Sequence, residues 1–185
     1  MQKTLLGIGV TTIVVFIWGF IYWGLSTIPY SSWKQTTDDV KVQQFVREHL
    51  PESGTYFIPG NQHDPETLAG LYESGPVGFI HINLEGRPQV DPSIMAGGFV
   101  LNLIAVCAMA MMFNIAGATE FRDFARLSLI TGAVAVILIH GGDIIWWMAP
   151  VSWKVWQIIY DFSFWLIAGH LLGIFMKRSN EPVAE

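Results

Sequence analysis

Four long apolar stretches, separated by polar connections of very unequal length, organise this chain. They run from Thr4 to about Leu25, from about Ser93 to Ile115, from about Leu127 to Met148 and from about Trp153 to Met176. Each is close to the ~20 residues a helix needs to cross a hydrocarbon core of ~30 Å. Between the first and second stretches the pattern changes, and most of the acids and bases lie there. Thr37-Asp38-Asp39 caps a run of Val40, Val42, Phe45, Val46 and Leu50 whose spacing suits one face of a helix, ended by Pro51 and Ser53-Gly54. Thr55 to Ile58 reads as a short strand closed by Pro59-Gly60. Asp64-Pro65-Glu66 then puts an N-cap before a proline at the first helical position, and that helix stops at Ser74-Gly75-Pro76. Val77 to Asn83 is a second strand. Helix–strand–helix–strand predicts a small α/β domain, and two strands bury so little that it is expected to lean on the apolar spans or on a partner.

The predicted fold class is therefore a membrane protein, mainly α, with four transmembrane helices and a small extracytoplasmic α/β insertion between the first and second. Residues 1–25 form the first helix, 26–90 the insertion, 91–116 the second helix, 127–176 a helical hairpin and 177–185 a polar cytoplasmic tail. Glu120, Arg122, Asp123 and Arg126 are expected in the loop before the hairpin. The basic start and apolar run also have the outline of a secretion signal. Yet the run exceeds the ~7–15 apolar residues of such a signal and ends in Trp18, Tyr22 and Trp23, an interfacial belt, so a retained anchor is expected.

Composition agrees with this pattern and removes other classes. Of 185 residues, 52% are hydrophobic and only 14% charged, against roughly 25% charged in soluble domains. The net charge of −5, with no basic stripe, excludes a nucleic-acid partner. The single cysteine, Cys107, sits inside the second span, so there is no disulfide framework, CxxC pair or covalent haem attachment motif. Lys3, Arg122, Arg126, Lys177 and Arg178 fall on one side of an alternating topology, and the short loop on the other side has only Lys154. Both termini are thus expected in the cytoplasm and residues 26–90 in the periplasm of a bacterial inner membrane.

The candidate chemistry lies in the hairpin, where His140, Asp143, Asp161 and His170 interrupt apolar sequence. Equal helical rise on both sides of the turn near Pro150 places His140 level with Tyr160 and Asp161, and Asp143 level with Gln157. These five residues form a predicted intramembrane polar cluster. Ionisable groups in lipid are costly, which makes function the first hypothesis for them. Three readings follow: a hydrogen-bonded lock between the helices, a cofactor site with His140 or His170 as axial ligand to haem b or bacteriochlorophyll, and a proton path through Asp143 and Asp161. His170 lies roughly 15 Å below His140, so the two cannot hold one haem within the hairpin. Ala168-Gly169 beside His170 would admit a flat macrocycle. His49, His63, Asp64 and His81 match no compact ligand spacing, so no metal is expected there. Without a GxSxG, Walker or HExxH motif, no catalytic residue is assigned.

The stretches Phe16-Ile17-Trp18-Gly19-Phe20-Ile21-Tyr22-Trp23, Pro51-Glu52-Ser53-Gly54-Thr55-Tyr56-Phe57-Ile58-Pro59 and Ser74-Gly75-Pro76-Val77-Gly78-Phe79 resemble a group of uncharacterised bacterial inner-membrane proteins. In that group a WG-containing first span is followed by a P-x-S-G-x-Y-x-x-P segment, a GP strand and three more spans. The resemblance implies this topology and no activity. The expected role is a non-catalytic integral subunit or accessory and assembly factor of a larger inner-membrane complex, with the lipid bilayer and other integral subunits as partners. The alternatives are a pigment- or haem-binding subunit of a photosynthetic or respiratory complex, and a proton-linked transport component. Four spans without an inverted repeat weigh against the last.

Overall fold

The computed structural model describes residues 2–177; Arg178 and the rest of the expected tail lie outside the described residues. Helix α1, Gln2–Gly19, continues into a wider turn, Phe20–Leu25, closed by Ser26 N–H donating to Ile21 O at 3.0 Å. Helix α2 spans Asp39–His49, strand β1 Gly54–Ile58, helix α3 Pro65–Ser74 and strand β2 Gly78–Ile82. Helices α4, Pro92–Ile115, α5, Phe121–Trp146, and α6, Val151–Met176, complete the chain. Among the described residues, four helices, counting α1 with its terminal turn, are long and apolar enough to cross a membrane.

Local side chains set the helix starts. Asp38 accepts from Lys41 N–H, Asp64 from the N–H groups of Glu66 and Thr67, and Asp91 from Ser93 N–H. Each satisfies donors that a first turn leaves open. Bonds from the Lys41 backbone hold the Asp38 carboxyl below its ordinary range, and bonds from Thr67 do so for Asp64. Helix α5 starts earlier than expected. Glu120 and Asp123 form a reciprocal capping box, so Arg122, Asp123 and Arg126 make its first turns instead of a loop. Helix α6 likewise begins directly after Pro150, which puts Lys154 on the helix. The intervening turn is tight, with Met148 in the left-handed region at φ 56°.

The segment 26–90 contains a two-stranded antiparallel sheet, its strands connected through α3, with Gly54 opposite Ile82 and Phe57 opposite Phe79. No residue of α2, α3, β1 or β2 is buried, so the predicted α/β domain has no core of its own. Two strands and two short helices have too little apolar surface to enclose any. Ring contact between Phe79 and Trp147, centroids 5.3 Å apart, seats the sheet on the end of α5.

The long helices alternate in direction. Helix α6 packs on α5 along one side and on α1 along the other, and α4 packs on α1 and also meets α6. Buried Val15, Val106, Met109, Ala110, Phe113, Phe124, Ala168 and Leu172 form the core, most of it in the half nearer the termini. There Phe113 of α4 and Phe124 of α5 meet edge to face at 5.1 Å. Nearer the other end α4, α5 and α6 line a cavity, and the candidate site lies there.

Candidate functional site

His140 and Asp143 are three positions apart on α5, and Lys154, Gln157 and Asp161 follow one another at steps of three and four on α6. Such spacings keep each set on one helix face, and the two faces oppose each other. His140 Nε2 lies 2.8 Å from Asp161 Oδ2. The imidazole is 4% exposed, whereas the Asp161 side chain is 44% exposed. With the carboxylate ionised the ring N–H donates, one carboxylate oxygen is engaged, and the carboxylate keeps an open side.

One turn nearer the α5–α6 loop, Lys154 Nζ donates to Asp143 Oδ2 at 2.5 Å. The depth argument paired Asp143 with Gln157, and the geometry gives it to Lys154. Opposite charge and a long flexible stem let lysine reach across from one turn away, where an amide offers only a neutral hydrogen bond. Gln157 stays at this level with Oε1 enclosed and without a hydrogen-bond partner among the described residues, as is His140 Nδ1. Lys154 was legible in the sequence only as a charge in a loop. Its spacing of three and seven residues from Gln157 and Asp161 was the available signal.

Tyr160 makes no hydrogen bond to His140 or Asp161 among those found. Its ring packs on Tyr22 and Trp23, both at 5.3 Å, and its hydroxyl lies so close to Gly19 that a Cβ there would come within 2.8 Å. Tyr22 donates to Trp156 O and Trp18 Nε1 to Ser163 Oγ, each at 2.8 Å. These bonds fasten α1 to the back of α6. Trp23, Tyr30, Trp33 and Trp153 pack above as a continuous aromatic layer.

The open side of Asp161 faces a cavity of about 340 Å³ between α4, α5 and α6. Its walls are Leu101, Asn102 and Ala105 on α4, Val136, Ile139 and His140 on α5, and Tyr160, Asp161, Phe164 and Trp165 on α6. Leu101 and Ile139 are 66% and 57% exposed, so the cavity opens sideways, between α4 and α5. His140 is about 9 Å along the axis from the Trp146 end of α5, and Asn102 about 15 Å from the Pro92 end of α4. Asn102 was missed in the sequence. A single amide among apolar residues on the second span was its signal.

His170 is apart from this cluster. It is exposed, with Nδ1 2.6 Å from Leu166 O and its ring on Phe121, 5.6 Å between centroids. Ala168 and Gly169 do not admit a macrocycle: both are buried, and a Cβ on Gly169 would collide with Ser128 of α5. The small residues serve helix contact instead. In the segment 26–90, His49 contacts Phe45 O and His81 contacts Thr55 Oγ1, and among the described residues no three His, Cys, Asp or Glu side chains converge. No known protein family, curated protein or solved structure matches the chain.

Proposed function

We propose that the chain is a non-catalytic integral membrane subunit or accessory factor that holds a lipophilic molecule with a hydrogen-bonding head in the cleft between α4, α5 and α6. The observation that carries this reading is the half-open Asp161 carboxylate, held by enclosed His140, on the wall of a sideways-opening cavity of about 340 Å³. That volume is at the lower end of the ~300–1,000 Å³ of small-molecule sites. At this depth an apolar wall would be the cheapest choice, and a polar pair is costly unless something uses it. Haem or bacteriochlorophyll ligation does not suit His140, because Asp161 occupies Nε2 and Nδ1 is enclosed. Of the two candidate histidines, His170 keeps Nε2 for such a ligand. Proton transport through Asp143 is disfavoured by its ion pair with Lys154.

The subunit part of the reading rests on α2. Val40 and Phe45 are 74% and 61% exposed on a segment with no core, which suits coverage by another subunit of the same membrane. Native mass spectrometry after mild detergent extraction tests the ligand. The wild-type chain should retain a small lipophile, and Ala105→Trp, which fills the cleft from its α4 wall and leaves His140 and Asp161 unsubstituted, should lose it. Equal retention by both would overturn the reading.

We place residues 26–90 in the periplasm and the termini in the cytoplasm. The excess of Lys and Arg on the side of the termini supports this, with Lys154 on the first turn of α6 the one cation beside the short α5–α6 turn. In a Cys107→Ser background, a membrane-impermeant maleimide should label Ser53→Cys in spheroplasts and Arg122→Cys only after lysis. The reverse pattern inverts the topology.

A further inference from the structure

The chemistry of the cleft narrows the ligand, and this step rests on the binding reading above. We infer that the cleft is a site for a membrane quinol: one ring hydroxyl donates to Asp161, and the oxygen on the opposite side of the ring accepts from the Asn102 amide.

Polar groups stand on two different walls. Asp161, oriented by His140, is on the α5–α6 side, and Asn102 is on α4. The carboxylate has only acceptor capacity to offer, and the amide supplies both a donor and an acceptor. Phe164 and Trp165 add aromatic side chains to the lining. A ligand that satisfies both walls is compact, flat and uncharged, with hydrogen-bonding oxygens at opposite ends of an apolar ring. It must also reach a site about 9–15 Å from the helix ends and trail an apolar tail through the sideways opening. A para-quinol on an isoprenoid chain meets each condition. A fatty acid or phospholipid does not, because its charged head belongs at the aqueous boundary. A sterol carries a single hydroxyl and leaves one wall unsatisfied. No electron transfer is assigned. Asp161 and Asn102 touch the ligand, and His140 positions the carboxylate.

The reduced form should bind more tightly than the oxidised form, because an ionised carboxylate has no proton to donate to a quinone carbonyl. The test is calorimetric titration of the detergent-solubilised full chain with decylubiquinol, kept anaerobic, and with decylubiquinone. Saturable binding is expected, with the quinol favoured. Asp161→Asn should weaken the quinol by about tenfold or more and narrow the preference over the quinone. Asn102→Leu should weaken both forms. Ala105→Trp should abolish binding while keeping the wild-type melting temperature, which guards against an Asp161 variant that merely misfolds. Quinol binding that survives Ala105→Trp places it elsewhere and overturns the proposal. A copurifying lipophile that Ala105→Trp removes but decylubiquinol does not displace overturns the quinol assignment and leaves the cleft reading intact. If neither a lipophile nor a quinol binds, both fall.

Discussion

Gly169→Ala should destabilise the α5–α6 pair at or above the top of the ~1–3 kcal/mol range for overpacking, and Gly169→Leu should prevent the bundle from assembling. A Cβ at Gly169 would lie 1.6 Å from Ser128 Oγ and 2.4 Å from Ser128 Cβ. Ser128 cannot readily yield, because it is fully buried and its hydroxyl donates to Phe124 O at 2.7 Å. The clash is with one side chain, so it is reversible by design. Ser128→Gly removes both offending atoms and leaves Phe124 O at 3.5 Å from the new Cβ, an ordinary contact. The double variant should melt above Gly169→Ala alone, despite the cost of about 1 kcal/mol for a glycine within α5. Thermal unfolding in detergent of both single variants and the double measures this coupling. A Gly169→Ala protein that melts with the wild type would show that α5 and α6 do not meet in this register.

Asp143→Leu should be the next most damaging exchange, and its cost should come from what it leaves behind. Lys154 is 8% exposed, and its ammonium is held by Asp143 at 2.5 Å. Removing one member of a fully buried pair costs about 3–5 kcal/mol because the other charge is stranded. Here the Asp143 side chain is 35% exposed. The expected loss is therefore nearer 1–3 kcal/mol, by analogy with an unsatisfied buried group. Asp143→Leu combined with Lys154→Met should recover much of it, since an apolar pair of similar volume avoids desolvating two charges. Melting temperatures of the two single variants and the double form the cycle. A wild-type melting temperature for Asp143→Leu would mean that Lys154 swings out to water along its stem, and the pair would then have no structural role.

These two contacts show how differently the hairpin was legible in advance. The level pairing of His140 with Asp161 follows from equal rise on both sides of one turn, so numbering alone placed them together. Asp143 shared the same depth argument, yet its partner depends on side-chain reach, and Lys154 reaches where Gln157 does not. The Ala168-Gly169 step was read as room for a macrocycle beside His170, whereas both residues are packed into the bundle and Gly169 meets Ser128 of α5. Asn102 became part of a site only when α4, separated from the hairpin in sequence, was placed opposite it.

By itself the sequence determined four apolar spans, the caps at Asp38 and Asp64, the strands around Tyr56 and Ile80, and the level pairing of His140 with Asp161. These depend on composition, on periods of two or 3.6 residues and on rise per residue, all of them local. Only the tertiary structure decided which helix faces meet, that Phe113 and Phe124 close one end of the α4–α5 gap while the other end stays open, and that residues 26–90 rest on Trp147 without a core. Rotation of one helix about its axis against a distant neighbour is set by interlocking volumes, such as Tyr160 over Gly19, Phe175 over Gly7 and Trp165 over Gly132. No local period encodes those fits, because each requires two segments far apart in the chain to supply complementary shapes.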